Sequence, residues 1–232
     1  MKIAVIQHRL RAGAAEDAAA LVAAARRAAD SGAEIVFFPD VPALAAEENP
    51  AGDILSGGLA QIETAPFVPS VAPGLAGSSS LVAPPRGTET LGKIALMVGD
   101  ASLDREVHRS LMGSRPNVAV LCPRSESELQ AEAVLELAIG LSRSLAGLVI
   151  VAECSGAQPG EAGHGGSALV LLGDVIAEAM SDDDVIVADI VLPVPQPEPA
   201  EALPAVPPIL EQRVAHHRGQ KISVDYPADL SS

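Results

Sequence analysis

Short apolar runs alternate along the chain with longer segments of helical character. The runs are rich in Val, Ile, Leu and Phe, which predicts buried strands. They cover residues 3–6, 34–38, 93–98, 118–121, 148–152 and 185–190. Residues 15–31 are rich in Ala, with acidic residues at their start and Arg26 and Arg27 near their end, an order that suits a helix dipole. The opening order of strand, helix and strand predicts a βαβ unit with parallel strands.

The second half of the chain predicts two more helices and a hairpin. A short helix is predicted over residues 103–112, and apolar residues at four-residue spacing predict a long helix with one apolar stripe. Residues 167–179 predict a hairpin that turns at Gly173 and Asp174. Between residues 41 and 92 the pattern degrades, and only short strands near Phe67 and Leu81 are predicted. The residues of the stripe are Leu129, Ala133, Leu137, Leu141 and Leu145.

Prolines recur densely from Pro193 to Pro208, which predicts an extended surface arm rather than a second domain. We therefore predict one α/β domain over residues 1–192 and a Pro-rich C-terminal arm over residues 193–232. A chain of 232 residues buries about 70% of its unfolded surface, so neither a disulfide nor a metal is expected to be needed for folding.

Composition excludes two classes of partner. The chain carries 15 Lys and Arg against 30 Asp and Glu, a net charge of -15, whereas phosphate binding needs a basic surface. Aromatic residues make up 2% of the chain, too few for platforms on which bases stack. No apolar stretch approaches the roughly 18 residues of a transmembrane helix. Neither nucleic acid nor a membrane is therefore expected as a partner.

The N-terminus and the cysteine count bear on the compartment. Gln7, His8 and Arg9 end the first apolar run too early for a signal peptide. The two cysteines, Cys122 and Cys154, make no disulfide framework. Both features predict a cytoplasmic protein.

Several segments resemble the nitrilase or carbon–nitrogen hydrolase superfamily. K-I-A-V-I-Q and the later G-A-E-I-V-F-F-P-D resemble its first two strands, of which the second ends in F-P-E. G-K-I-A-L-M-V-G-D is similar to the strand that leads into the nucleophile elbow of the family. G-G-S-A-L-V-L-L-G-D-V-I-A-E-A, followed by V-I-V-A-D-I, resembles the closing hairpin and strand. Together these matches cover about residues 1–50 and 91–192, and the stretch between them does not match.

The resemblance implies a four-layer αββα sandwich that pairs into dimers through helices, with C-terminal arms that often cross the interface. Family members hydrolyse non-peptide carbon–nitrogen bonds in amides, nitriles or carbamoyl groups, and no cofactor is expected. In the family, a Cys attacks the carbon, a Glu handles the proton and a Lys stabilises the developing oxyanion, with a second Glu in support.

Two positions of this chemistry are altered. Asp40 stands where the family has its Glu, and it is shorter by one C–C bond of about 1.5 Å. A misplacement of about 1 Å can lower a rate by about 10²-fold. Gly99 stands where the family has its Cys, so the nucleophile is absent there. Both residues also have structural interpretations, because Asp favours the loop after a strand and Gly permits a tight turn.

The lysine of the family has no counterpart. The chain has three lysines, Lys2, Lys93 and Lys221, and none of them lies in the loop before the elbow strand. Arg86 lies in roughly the right stretch, but Arg does not replace Lys as a donor. Because such residues act as a unit, the resemblance predicts a family member that has lost the family chemistry.

Replacement nucleophiles are possible at two positions. Cys154 follows a strand, where loops build sites, and Asp100 follows the elbow as a carboxylate. Cys122 is interpreted as a small buried hydrophobe, and burial is the alternative for Cys154 as well.

Other polar residues are candidates for binding rather than catalysis. Glu153, which precedes the Gly-rich loop over residues 156–166, and His164, which lies within this loop, are candidate binding residues at the border of a pocket. The histidines show no metal-ligand spacing with the cysteines, so no metal site is predicted. His216 and His217 are interpreted as a solvated pair. The aspartates at 182–184 are interpreted as a charged turn with at most a weak cation contact.

Three hypotheses therefore remain open. The first is a non-catalytic homologue that binds a small amide, nitrile or carboxylate ligand or a partner. The second is an active amidase-type hydrolase whose nucleophile is Cys154 or Asp100. The third is a structural subunit that pairs with an active relative. Assembly as a homodimer or as a hetero-oligomer with a related subunit is expected.

Overall fold

The structure, a computed structural model, describes residues 1–41, 44, 50–62, 67–68, 79–84, 87–156, 163–193 and 203–219. Its strands are β1 (Lys2–Arg9), β2 (Ile35–Phe37), β3 (Phe67–Val68), β4 (Ser79–Val82), β5 (Ile94–Val98), β6 (Val118–Cys122), β7 (Leu148–Val151), β8 (Cys154–Ser155), β9 (Ala168–Leu171), β10 (Asp174–Glu178) and β11 (Asp184–Asp189). Its helices are α1 (Ala14–Asp30), α2 (Pro50–Leu59), α3 (Arg105–Met112), α4 (Glu128–Leu145) and α5 (Pro208–His217). None of these helices is both long and apolar enough to cross a membrane.

The strands form two mixed sheets. In the first sheet, β1 lies between β11, to which it is antiparallel, and β2, to which it is parallel. β3 follows β2 at the edge, and the short β8 pairs with the last residues of β1. The second sheet has the order β10-β9-β7-β6-β5-β4, in which β5, β6 and β7 are parallel. The predicted βαβ unit is present as β1, α1 and β2.

Three apolar layers result from the alternation of side chains along these strands. Between the sheets lie Ile3 and Phe37 of the first sheet and Leu96 and Ile150 of the second. The other face of the first sheet packs on α1 and α2, and the other face of the second packs on α3, α4 and α5. The order helix, sheet, sheet, helix confirms the expected αββα sandwich.

α2 is a helix that the sequence pattern does not predict. It contains three glycines, which weaken helix propensity, but Ala51 and Leu55 are buried against α1. A Cβ at Gly58 would lie 2.6 Å from the Val22 side chain, so glycine is what lets the two helices approach. β3 and β4 lie where the short strands near Phe67 and Leu81 are predicted. Most of the remaining stretch between residues 41 and 92 lies outside the described residues.

Two details in the second half of the chain differ from the elements that the sequence predicts. Leu129 is 61% exposed, so the buried part of the apolar stripe of α4 begins at Ala133. The hairpin turns at Leu172 and Gly173, one residue earlier than predicted, with φ angles of 54° and 91°. Such a two-residue turn needs positive φ at both positions, and Leu gives no sign of this in the sequence.

The C-terminal arm differs most from its prediction. Val206, Leu210 and Val214 recur at four-residue spacing and are buried against α3 and α4. Pro208 stands in the first turn of α5, where proline is tolerated. The described part of the arm, residues 203–219, is thus part of the domain core and not an extended surface segment. The prolines obscure an apolar stripe that is already present in the sequence. Residues 194–202 and 220–232 lie outside the described residues.

The carboxyl ends of the parallel strands of both sheets meet at one edge of the sandwich. Arg124, which follows β6, reaches Asp40, which follows β2. Cys154, which follows β7, also contacts Asp40. Ligand sites of parallel sheets form at this end of the strands, so this edge contains the candidate site.

Candidate functional site

Asp40 lies at this edge with its side chain 2% exposed. Arg124 donates to Oδ2 of Asp40 from Nε at 3.1 Å and from Nη2 at 2.7 Å. Contacts of this charge-assisted kind are among the stronger hydrogen bonds in proteins. The carboxylate therefore stands where the resemblance expects an acid–base group, but a guanidinium already neutralises it. The sequence interpretation missed Arg124, whose only signal is a charge directly after a strand.

Gly99 forms the sharp turn between β5 and a short 3-10 helix, Gly99–Ser102. Its φ angle is 58°, a left-handed conformation that strains other residues. The backbone at this position thus makes an elbow, and no side chain extends from it. The predicted absence of a nucleophile at position 99 coincides with a turn that glycine makes without strain.

Asp100 follows the elbow, but its carboxylate is occupied by α5. His217 Nδ1 lies 2.8 Å from Oδ2 of Asp100, and Arg213 Nε lies 3.7 Å from Oδ1. His217 also lies 3.6 Å from Glu126. It therefore has two carboxylate partners, whereas the sequence interpretation made it part of a solvated pair. A carboxylate that is held by an imidazole and a guanidinium is a weak candidate for a nucleophile.

Cys154 is buried rather than placed at a rim, with 6% of its surface exposed. Burial raises the pKa of the Cys154 thiol well above its usual value, and the nearby carboxylates of Asp40, Glu153 and Asp17 raise it further. A thiol that holds its proton is a poor nucleophile. The expectation of an accessible position at the pocket border is therefore wrong for this residue, because β8 turns it inward beside β1.

Both thiols support the loop that carries Asp40. Cys154 Sγ donates to the Asp40 carbonyl at 3.4 Å, and Cys122 Sγ donates to the Phe38 carbonyl at 3.9 Å. These two carbonyls flank Pro39 on either side. The cysteines therefore act as buried packing residues that fix the end of β2.

Glu153 is the most unusual carboxyl group of this edge. It is 1% exposed, its Oε1 accepts a hydrogen bond from the Ser125 amide, and its Oε2 has no partner in the described part of the chain. Burial raises the pKa of Glu153 to about 8, although Ser125 and the charge of Arg213 oppose the rise. The side chain is therefore mostly protonated at pH 7. It was expected to line an open pocket, but its carboxyl lies beneath the surface.

The two lysines in the described residues lie far from this edge. Lys2 precedes most of β1, and its Nζ donates to the Ser31 carbonyl at 3.2 Å. Lys93 precedes β5, and its Nζ donates to the Ser114 carbonyl at 3.2 Å. Each ammonium group thus lies at the C-terminal end of a helix, where positive charge is stabilising. Both groups lie at the amino ends of the strands, opposite the candidate site. Arg86 and Lys221, also considered above, lie outside the described residues.

α5 brings a second arginine that the sequence interpretation missed. Arg213 is 7% exposed, its Nη1 lies 3.3 Å from Gln130, and its charge acts on Glu153 and Asp100. Burial lowers the pKa of Arg213, while the carboxylates around it raise it. Its place in a Pro-rich arm concealed it, since an arm on the surface predicts solvated arginines.

A cleft of about 480 Å³ opens beside this edge. Gly165 and Gly166 line its floor, and His164, a predicted binding residue, lies exposed in its lining. Gln7 holds the floor, because its Oε1 accepts the amides of Gly166 and Ser167, each at 2.8 Å. Its Nε2 donates to the Ser181 carbonyl at 2.7 Å. In the described residues, no group of three or more His, Cys, Asp or Glu is arranged to hold a metal ion.

The fold is shared with solved structures of an amidase. A cysteine-to-serine variant of an amidase of the nitrilase superfamily from Nesterenkonia AN1 is similar with a TM-score of 0.64 and 15% identity, over 82% of this chain and 92% of that chain. The amidase from the same source after removal of its tag is similar with a TM-score of 0.64 and 16% identity, over 82% and 93% of the two chains.

A third structure shows a glutamate-to-glutamine variant of that amidase with acrylamide added to its active-site cysteine, again with a TM-score of 0.64 and 16% identity, over 82% of this chain and 93% of that chain. No family model and no curated protein matches the chain. At these identities the similarity establishes the fold alone. The chain thus has the fold of the nitrilase superfamily.

Proposed function

We propose that this chain is a nitrilase-fold protein that does not hydrolyse carbon–nitrogen bonds and acts by binding a ligand. The observation that carries the proposal is Gly99, because the elbow that ends β5 has a left-handed glycine and therefore no nucleophile. Activated-nucleophile chemistry needs a nucleophile, a base and an oxyanion donor in contact with one another. Among the described residues, no nucleophile and no lysine stand in the expected places, and the carboxylate that does, Asp40, is paired with Arg124.

The other two catalytic positions support the same conclusion. Asp40 is neutralised by Arg124, which competes with any proton transfer by that carboxylate. Lys2 and Lys93 are engaged at the opposite ends of the strands. Because catalytic groups act as a unit, the loss of any one of them lowers the rate severely.

The alternative, an active hydrolase with a relocated nucleophile, is less consistent with the geometry. Cys154 is buried and its raised pKa keeps the thiol protonated. Asp100 is held by His217 and Arg213. Either residue would need its contacts to open before it met a substrate.

The proposal is tested by assaying the purified protein against simple amides, nitriles and carbamoyl compounds, together with alkylation by acrylamide under native conditions. We expect no turnover and no adduct at Cys122 or Cys154 until the protein is unfolded. Turnover that is lost in Cys154→Ala but kept in Cys122→Ala would overturn the proposal in favour of a relocated nucleophile.

A second variant tests the role of the elbow. Gly99→Cys restores a thiol at the position from which it is absent, but no lysine accompanies it. We expect this variant to be alkylated by acrylamide and still not to hydrolyse amides. Hydrolysis by Gly99→Cys would show that the rest of the machinery is present, contrary to the proposal.

Assembly also belongs to this proposal. Pairing with a second copy or with a related subunit follows from the family resemblance, and sedimentation of the purified chain measures it. A monomer at all concentrations would contradict self-pairing and would leave ligand binding as the proposed role.

A further inference from the structure

A second, smaller cleft lies between α1 and the last residues of β1. Its volume is about 260 Å³, and its lining contains the imidazole of His8 and the guanidinium groups of Arg11 and Arg27. No Arg or Lys lines the larger cleft. The smaller cleft, called the His8 cleft below, therefore concentrates cationic groups in a chain whose net charge is -15.

The imidazole of His8 is held in one orientation by a buried carboxylate. The His8 side chain is 2% exposed, and its Nε2 lies 2.7 Å from Oδ1 of Asp17, whose side chain is 0% exposed. The same oxygen accepts the Arg11 amide at 2.8 Å. Because a carboxylate accepts hydrogen bonds, Nε2 is the nitrogen that donates to Asp17. Nδ1 is therefore the ring nitrogen that is left for another partner.

Nδ1 of His8 has no hydrogen-bond partner among the described residues. Oδ1 of Asp183 lies 3.8 Å away, beyond hydrogen-bond distance. Asp183 is already engaged, because its Oδ1 accepts the Arg9 amide at 2.9 Å and its Oδ2 binds Arg11. Nδ1 is not one of the fully enclosed polar atoms, and His8 lines the cleft. Since buried polar groups normally have a partner, a ligand in this cleft would supply the one that Nδ1 lacks.

Arg27 provides a free positive charge at the same place. It is exposed in the cleft lining, and no carboxylate of the described residues lies within ion-pair distance of it. A guanidinium group matches the geometry of a carboxylate with two parallel hydrogen bonds. The unpaired Arg27 and the open nitrogen of His8 thus both favour an anionic ligand.

The rest of the lining restricts the size and the charge of such an anion. Ala20, Ala23 and Ala24 of α1 line one wall, which suits a short hydrocarbon chain. The volume of about 260 Å³ lies below the usual range of drug-sized pockets. Asp183 also lines the cleft, and its charge disfavours a ligand with two negative charges. The lining therefore suits a small monoanion with an apolar part.

We propose that the His8 cleft binds a small monocarboxylate, with its carboxylate between Arg27 and Nδ1 of His8 and its hydrocarbon chain against the alanines of α1. A carboxylate beside Nδ1 favours the charged imidazole, so Nδ1 carries a proton in the complex and donates it to the ligand. Inorganic phosphate fits less well, because its second charge would lie near Asp183. This inference rests on the proposed binding role, since it gives that role a site and a ligand class.

The test is an NMR titration of the isotope-labelled protein with sodium butyrate. The ionic strength is held at about 0.15 M, where the Debye length of about 8 Å suppresses general attraction to arginine. We expect saturable shifts of the His8 imidazole signals and of the Ala23 and Ala24 amide signals. Butyramide has nearly the same shape without the charge, and it should bind about tenfold more weakly, since charge-assisted hydrogen bonds are the stronger ones.

Two neighbouring arginines of α1 provide a matched pair of variants. Arg27 lines the cleft, whereas Arg26 does not, and Nη2 of Arg26 lies 3.3 Å from Gln61. Arg27→Gln should weaken butyrate binding about fivefold, which is the upper range for an exposed ion pair. Arg26→Gln changes the net charge equally, and we expect less than about a twofold effect.

The pH dependence of binding reports on the imidazole itself. Butyrate binding should weaken about tenfold between about pH 6 and about pH 8, because an imidazole ordinarily loses its proton in this range. The other groups around His8 ordinarily keep their protonation states there; they are Asp17, Asp183, Arg11, Arg27 and the Cys154 thiol, whose pKa is raised by burial.

Several results would overturn the inference. These are the absence of saturable shifts at His8, equal affinity for butyramide, equal weakening by Arg26→Gln and Arg27→Gln, tighter binding of inorganic phosphate, and an affinity that does not change with pH. None of them bears on hydrolysis, so an inactive chain that binds no butyrate would contradict the carboxylate site and leave the proposed loss of catalysis standing. Amide turnover together with butyrate binding at His8 would do the reverse.

Discussion

The layer between the two sheets and the edge where their parallel strands end are built in opposite ways. Among the described residues, the layer is formed by apolar side chains such as Phe37 and Leu96, which are 0% and 3% exposed. At the edge, Asp40 and Glu153, which follow β2 and β7, are also buried, with 4% and 1% exposed, and Arg213 of α5 is 7% exposed. One region excludes charge and the other concentrates it.

This difference teaches which parts of the molecule serve the fold and which do not. Burying charged groups is costly even when they are paired, and apolar replacements are often at least as stable. A sandwich that needed only stability would continue its apolar layer to the end of the strands. The buried polar edge therefore does not serve stability alone, which agrees with the proposed binding role, and the layer behind it holds its residues in place.

The largest effect is expected in the apolar layer. Phe37→Ala removes the ring of a fully buried residue and leaves a cavity, so the free energy of unfolding should fall by about 3–5 kcal/mol. Urea unfolding followed by circular dichroism measures the change. Phe37→Leu keeps most of the volume and is expected to lose much less. An equal loss in the two variants would contradict a packing role.

A smaller effect is expected at the edge. Asp40→Ala leaves the Arg124 guanidinium without its carboxylate, and removal of a charged hydrogen-bond partner costs about 1.5–3 kcal/mol. The free energy of unfolding of Asp40→Ala, Arg124→Met and the double variant completes a cycle. We expect the two losses to be less than additive. Additive losses would show that the contact contributes no coupling.

The pH dependence of stability distinguishes the edge from the layer. The folded protein holds a proton on Glu153 up to about pH 8, whereas the unfolded chain releases it near pH 4.5. Stability from this group is therefore present at low pH and is lost as the pH rises between these values, by at most about 1.4 kcal/mol per pH unit. Glu153→Gln should flatten the curve. A parallel curve for the variant and the unaltered protein would refute this role.

The smallest effect concerns the contact between α3 and α5. Asp104 caps α3 by accepting the Glu106 amide at 2.8 Å and also binds Arg218. Burial opposes ionisation of Asp104, but these two partners outweigh it and lower its pKa. Asp104→Ala should cost about 1 kcal/mol through the lost cap. Asp104→Asn keeps the capping oxygen, so thermal unfolding should show a smaller loss. A larger loss in Asn than in Ala would contradict capping as the main contribution.

The layers could be predicted from the sequence because each depends on a local pattern. The runs at residues 3–6 and 94–98 are apolar at every position, as strands covered on both faces must be. The positions of Asp40 and Gly99 also followed from predicted strands, since Gly99 stands directly after β5 and Asp40 shortly after β2. The turn at Gly99 also agrees with the conformational freedom of glycine.

The edge could not be predicted in the same way because its contacts join distant parts of the chain. Arg124 and Asp40 are 84 residues apart, and Arg213 lies in a segment whose prolines predict an exposed arm. The burial of Cys154 and Glu153 depends on how β8 pairs with β1. The hydrophobic periodicity of a single segment does not reveal this pairing.

The docking of α5 has a consequence for how the protein is made. Synthesis proceeds from the N-terminus, and domains begin to fold as they emerge. β11, the last strand, ends at Asp189, whereas α5 begins at Pro208. All strands are therefore synthesised before α5, and until α5 docks, Leu141 and Leu111 lack the apolar cover of Leu210 and Asp100 lacks Arg213. The nascent chain passes through a state with an uncovered helical face, and it is the final helix that closes this face and brings positive charge to the edge.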